Sequence, residues 1–130
     1  MRILVTGSAG HLGEALMRTL QNSPHAALGI DVLPSAHTQR VGTIADRAFV
    51  RSCMRGVDAV LHAATLHKPH VATHPQQAFV DTNISGTLNL LEEAVAAGTR
   101  AFVFTSTTST FGRALVPPPD QPAACMPKFG

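Results

Sequence analysis

Residues 2–13 read RILVTGSAGHLG. Arg2 to Thr6 is a β-rich apolar run that stops at Gly7, which predicts a short buried strand. From Leu12 the pattern turns helical: Leu12, Ala15, Leu16, Thr19 and Leu20 recur at helical spacing, up to Asn22-Ser23-Pro24. Between strand and helix stand Gly7, Gly10 and Gly13, three residues apart. Gly7 permits a tight turn, a missing side chain near Gly10 lets backbone approach a pyrophosphate, and Gly13 lets the helix pack against its sheet. His11 and Leu12 then occupy the first helical positions, where free N–H groups and the positive end of the helix dipole suit phosphate. A glycine triplet alone is weak evidence; here it follows a strand and opens a helix inside a βαβ unit. The alternative is a Gly-rich turn serving another ligand.

The second strand, Ala26 to Val32, carries Asp31 near its end. A carboxylate there can accept from the 2′-OH of an adenosine ribose and would repel a 2′-phosphate. This favours NAD over NADP as cofactor, against the alternative of a solvated strand-end carboxylate. Val41 to Ile44 reads as a weak third strand, and Asp46 as the N-cap of a helix to about Arg55. Val57 to Ala63 is a fourth strand, 74–98 a long helix stopped by Gly98, and Ala101 to Thr105 a fifth strand. In the long helix Ala78, Ile84, Leu88, Leu91 and Val95 read as the core-facing stripe. The order is β-α-β, then β-α-β-α-β. The expected architecture is α/β: a Rossmann-like parallel sheet of about five strands, order 3-2-1-4-5, with helices on both faces. It is expected to be incomplete at its C-terminal end. Leu115 to Gly130 holds five of the nine prolines, so residues 1–114 read as the domain and 115–130 as an extended or disordered tail.

Composition narrows the function classes. A chain of 130 residues, 45% apolar and 14% charged, fits one ordinary globular domain. The net charge of +2 comes from scattered Lys and Arg with no basic block, so neither nucleic acid nor membrane is an expected partner. Cys53 and Cys125 make neither a disulfide framework nor a C-x-x-C metal pair. With no leader pattern and no long apolar span, the expected location is cytoplasmic. His62, His67, His70 and His74 lie close together, but no carboxylate or Cys joins them at ligand spacing, so no metal is expected. No G-x-S-x-G supports a hydrolase. The chain has no Trp and no Tyr.

TGSAGHLG (6–13), LHAAT (61–65), DTNISGTLNLLEEA (81–94) and FVFTSTTSTFG (102–112) fall in order along the chain. Together they resemble the extended short-chain dehydrogenases, the NAD-dependent epimerase/dehydratase group, from Met1 to about Gly112. The resemblance implies that His62, Ala63 and Ala64 pass under the cofactor at the end of the fourth strand. It implies that Asn83 ties the long helix to that loop, where the plain alternative is an exposed helical Asn. Thr105 joins the cofactor site, and Thr107 stands where a catalytic, substrate-contacting Ser or Thr belongs; an ST-rich turn is the alternative. Thr43-Ile44 stands where relatives often place an acidic residue beside an aliphatic one to read adenine, with Asp46 nearby as a substitute. The family's general acid/base is a Tyr-x-x-x-Lys pair on a following helix. With no Tyr here, that pair is expected beyond Gly130. The resemblance thus implies the NAD(P)-binding part of an oxidoreductase or epimerase/dehydratase, with a sugar nucleotide or secondary alcohol or ketone as small-molecule substrate, and a homodimer in relatives. The alternatives are a non-catalytic dinucleotide-binding or sensor protein, or a truncated product without function.

Overall fold

Alternation along the first strand splits the core in two, because successive side chains of a strand point to opposite faces. The computed structural model describes residues 1–107, and the expected Pro-rich tail lies outside them. Strand β1 (Arg2–Thr6) leads to helix α1 (His11–Gln21), then β2 (Ala26–Asp31) and β3 (Arg40–Val41). Helix α2 (Arg47–Met54) and strand β4 (Ala59–His62) follow. A 3₁₀ turn (Lys68–Ala72) precedes α3 (Gln76–Phe79), which runs through a π-helical segment (Val80–Gly86) into α4 (Thr87–Ala96). Strand β5 (Ala101–Phe104) closes the described chain.

The five strands form one parallel sheet in the order β3-β2-β1-β4-β5. Ile3 and Val5 face α1 and pack with Met17, Leu20 and Ala59. Leu4 faces the other way, with Ile30, Val60, Val50, Met54, Leu90 and Ala94 beneath α2 and α4. Each large side chain buried this way contributes about 1.5–3 kcal/mol. The end of α2's lead-in works as the sequence indicates: Asp46 Oδ1 accepts from the amides of Ala48 at 2.9 Å and Phe49 at 3.2 Å. Gly98 adopts φ +70°, and Thr99 N–H reaches back to Ala94 O, which stops α4. No helix among the described residues is long and apolar enough to cross a membrane.

Two expectations need correction. The third strand is only Arg40–Val41, not 41–44. Gly42 sits against the Phe49 ring, where a Cβ would come within 2.6 Å, and beyond it Ile44 turns into the core. The second concerns the long helix. Ile84, Leu88, Leu91 and Val95 are exposed, and the buried face is Gly86, Leu90, Glu93 and Ala94. The helix carries apolar residues on both sides, so periodicity alone cannot choose between them. Two contacts select the inner face. Gly86 leaves the space that Ile44 fills, since a Cβ there would lie 2.5 Å from Ile44 Cγ1. Glu93 tolerates burial because Arg47 and Arg51 of α2 bind its carboxylate at 2.7 and 3.1 Å.

Candidate functional site at the carboxyl end of the sheet

The chain leaves β1 for β2 on one side and β4 for β5 on the other, so the strand order reverses between β1 and β4. In open α/β sheets, ligands bind outside the carboxyl ends of the strands at this switch point. Two turns meet there. Gly7, at φ +73°, is pressed against the turn after β4: a Cβ would lie 2.7 Å from Ala64 N and 2.9 Å from Ala63 C. The amides of Gly7 and Ser8 both donate to Ile30 O, at 2.9 and 3.2 Å, which ties the loop to β2.

The three glycines serve different ends. Gly13 is a packing glycine, buried where α1 crosses the loop. Gly10 differs. It is exposed, with extended backbone at φ −80° and ψ 165° that any residue adopts, and the one atom near a Cβ there is Gly7 O at 3.3 Å. Among the described residues that carbonyl is the sole close neighbour, and it would have to give by only a few tenths of an ångström. Gly10 is also the N-cap of α1 and supplies no side-chain cap, so the first amides of the helix, at His11, Leu12 and Gly13, have no side-chain partner from it. The side chains of His11 and Leu12 are exposed.

Asp31, half-buried, faces the same loop. Its Oδ2 accepts from Ala9 N–H at 3.0 Å and its Oδ1 from Leu33 N–H at 2.9 Å. Ser8 and Thr38 hydroxyls meet at 2.8 Å beside it, so the segment after β2 folds back onto the glycine loop.

Across the crevice, Thr6 Oγ1 accepts from the amides of Ala63 and Ala64 at 3.2 and 3.1 Å and lies 2.6 Å from His62 Nδ1. His62 is only 3% exposed, edge-on to the rings of Phe102 and tilted against Phe104. Burial alone holds its pKa down at about 4. Its ring is buried against these partners and also borders the crevice, with Ala64 beside it. Asn83 grips the next residues from the π-helical segment. Its Oδ1 accepts from Leu66 N–H at 2.9 Å and Thr65 hydroxyl at 3.2 Å, and its Nδ2 donates to Leu66 O at 2.8 Å. Thr105 N–H donates to His62 O at 3.0 Å, which extends the β4–β5 ladder to the rim. A cleft of about 30 Å³, room for a water, lies among His62, Ala64, Thr65, Asn83, Thr87 and Thr105. Thr107 follows as exposed irregular chain.

The structure does not bring every candidate to the crevice. Ile44 is 5% exposed with its side chain in the core, and it is held by Asn89 Nδ2, which donates to Ile44 O and Ala45 O at 3.0 and 3.1 Å. Thr43 is exposed and its hydroxyl accepts from Ala45 N–H, while Asp46 caps α2. His67, His70 and His74 stack edge to face, with centroids 4.8 and 5.4 Å apart. Among the described residues no group of three His, Cys, Asp or Glu is arranged to hold a metal ion. Sequence reasoning passed over Thr6, Thr87 and Asn89. Their hydroxyls and amide bind between elements far apart in the chain, and no local pattern marks such partners.

A family model described as the NAD dependent epimerase/dehydratase family matches residues 3–126. The chain is 34% identical over 119 residues to a UDP-glucose 4-epimerase of Rhizobium leguminosarum bv. trifolii, a match covering 85% of this chain and 36% of that protein. It superposes with a TM-score of 0.78 and 33% identity on a short-chain dehydrogenase/reductase superfamily protein from Agrobacterium tumefaciens with bound NAD, covering 87% of this chain and 34% of that one. A UDP-glucose-4-epimerase from Stenotrophomonas maltophila, solved with NAD and formylated UDP-arabinopyranose, gives a TM-score of 0.74 at 31% identity, over 86% of this chain and 38% of that one. The chain thus spans little more than a third of the length of these relatives.

Proposed function

The chain belongs to the NAD dependent epimerase/dehydratase family, and from that premise we propose that it binds NAD across the crevice between the glycine loop and the Ala63–Ala64 turn. The observation that carries this is Gly10. Its backbone conformation is open to any residue and a Cβ there meets only Gly7 O, at 3.3 Å, yet the missing side chain opens the N-terminus of an eleven-residue helix. A pyrophosphate seated on the amides of His11, Leu12 and Gly13 gives that absence a reason. Asp31, already oriented by Ala9 and Leu33, would accept from the adenosine ribose, and its charge favours NAD over NADP. At the nicotinamide end the small side chains of Ala63 and Ala64 would let the cofactor approach their backbone.

The bound cofactor supplies a hydride acceptor or donor. The chain's own residues do the rest. Asn83 fixes the Thr65–Leu66 loop beside the nicotinamide end. Thr107 would bind the reacting hydroxyl or carbonyl of the substrate, for which a sugar nucleotide is the class supported by the relatives solved with such ligands. The exposed row Ile84, Leu88, Leu91 and Val95 supports pairing with a second copy.

A second reading, binding without turnover, is favoured by one observation: the sequence contains no Tyr, so the 130-residue chain has no phenol to move a proton as hydride moves. Titration calorimetry with NAD and NADP, followed by assay with UDP-glucose, tests both. NAD binding without turnover by this chain is the expected result. Absence of NAD binding by a cooperatively folded chain would overturn the site.

A further inference from the structure

Three side chains, Thr6 and His62 buried and Thr87 half-buried, join the two turns of the crevice to the long helix, and their hydrogen bonds admit one proton arrangement. Thr87 Oγ1 lies 2.8 Å from Asn83 O and donates its hydroxyl proton to it, since a carbonyl can only accept. Thr87 Oγ1 also lies 3.0 Å from His62 Nε2. Its single proton being committed, Thr87 accepts here, so Nε2 carries the hydrogen. His62 Nδ1 is then a bare acceptor for the hydroxyl of Thr6 at 2.6 Å. The lone pairs of Thr6 remain for the amides of Ala63 and Ala64. The opposite tautomer leaves a proton too many at the Thr6 end and an acceptor without a proton at the Thr87 end. Nδ1–H would aim at a Thr6 oxygen already taking two N–H groups, and Thr87 would have to abandon Asn83 O. An imidazolium would likewise leave the Thr6 proton without an acceptor.

From this we propose that His62 is a positioning residue that acts through Thr6, locked as the neutral Nε2–H tautomer and setting the Ala63–Ala64 turn relative to the Asn83-bearing helix. The chain runs Thr6 to His62 to Thr87 to Asn83, and it joins the glycine loop, the turn after β4 and the π-helical segment. Around the ring stand the hydroxyls of Thr6 from β1 and Thr87 from α4, and the rings of Phe102 and Phe104 from β5. The depressed basicity of the ring accords with this setting. The consequence for cofactor affinity rests on the proposed NAD site; the consequence for the turn does not.

The test uses the 130-residue chain. Nitrogen-15 NMR of the wild type is expected to show His62 as the Nε2–H tautomer at pH 7. A Nδ1–H tautomer would overturn the inference without any variant. His62→Phe keeps a ring between Phe102 and Phe104 but removes both hydrogen bonds. Amide exchange at Ala63 and Ala64 is expected to speed up about tenfold or more, and NAD affinity to fall by about tenfold. His62→Gln offers one acceptor and one donor on one plane, and is expected to recover most of the exchange protection and the affinity. Unchanged exchange in His62→Phe, or no recovery in His62→Gln, would overturn the positioning role. If the wild type binds no NAD, the site reading fails, and the tautomer and exchange data still decide the role of His62.

Discussion

The Cβ that any other residue would carry at Gly13 falls 1.9 Å from the carbonyl oxygen of Gly7. It also comes within 2.9 Å of Ser8 Cα, so every neighbour is backbone and none can swing aside. The helix and the turn that feeds it are in contact because this position lacks a side chain. Gly13→Ala is therefore expected to destabilise the fold by about 3 kcal/mol, the upper end for overpacking. Urea unfolding would show it as a lower midpoint at unchanged slope. A midpoint equal to the wild type would mean that helix and loop are not in this contact.

Gly10 makes the opposite case. Gly10→Ala is expected to keep stability within about 1 kcal/mol, because the N-cap conformation is open to any residue. Gly10→Glu adds a negative charge at the positive end of α1, which does not oppose folding. The same carboxylate stands where a pyrophosphate would sit, so NAD binding is expected to vanish in calorimetry while the unfolding midpoint holds. Undiminished affinity in Gly10→Glu would remove the proposed site.

For Asp31 two variants separate geometry from charge. Asp31→Ala takes the acceptor from Ala9 N–H and Leu33 N–H and is expected to cost about 1–3 kcal/mol of stability. Asp31→Asn keeps an acceptor and loses the charge. Both are expected to narrow the ratio of NAD to NADP affinity, Asn with the smaller loss of stability. A ratio unmoved in both variants would place Asp31 outside the ribose site.

These contrasts mark what a sequence can and cannot disclose. The strand order and the glycine loop were legible because they depend on local features: a β-rich apolar run along Ile3–Val5, a period of 3.6 after Leu12, and glycines at a strand-to-helix turn. The Asp46 cap was legible for the same reason. The orientation of α4 was not. Leu88 and Leu90 are equally apolar, and the choice between them depends on Ile44 and on Arg47, the partner of Glu93, both more than forty residues away in sequence. Likewise His62 looks like an exposed crevice residue from its place at a strand end, yet the period of two buries its side chain beside Val60.

Acid titration separates two buried groups of opposite kind. The guanidinium groups of Arg51 and then Arg47 hold the Glu93 carboxyl at about 2, against an ordinary 4.5. A depressed carboxylate contributes stability that is complete above about 4.5 and is lost as pH falls through about 2. His62 is depressed by burial to about 4 from 6.5. Below 6.5 the unfolded chain takes up a proton that the folded chain refuses, so stability also falls with pH here, between 6.5 and about 4. The loss approaches about 3 kcal/mol at the acid end. Unfolding by urea at pH 7.5, 5 and 3 is expected to show both losses in the wild type. Glu93→Gln should lower stability at pH 7.5, and its gap from the wild type should close only on approaching pH 2. His62→Phe should differ most from the wild type at pH 7.5, and that gap should shrink between 6.5 and 4, because the variant has no imidazole whose proton the fold excludes. If the gap stays constant across that window, His62 takes its proton equally in both states, and its isolation in the core beside Thr6 and Thr87 is wrong.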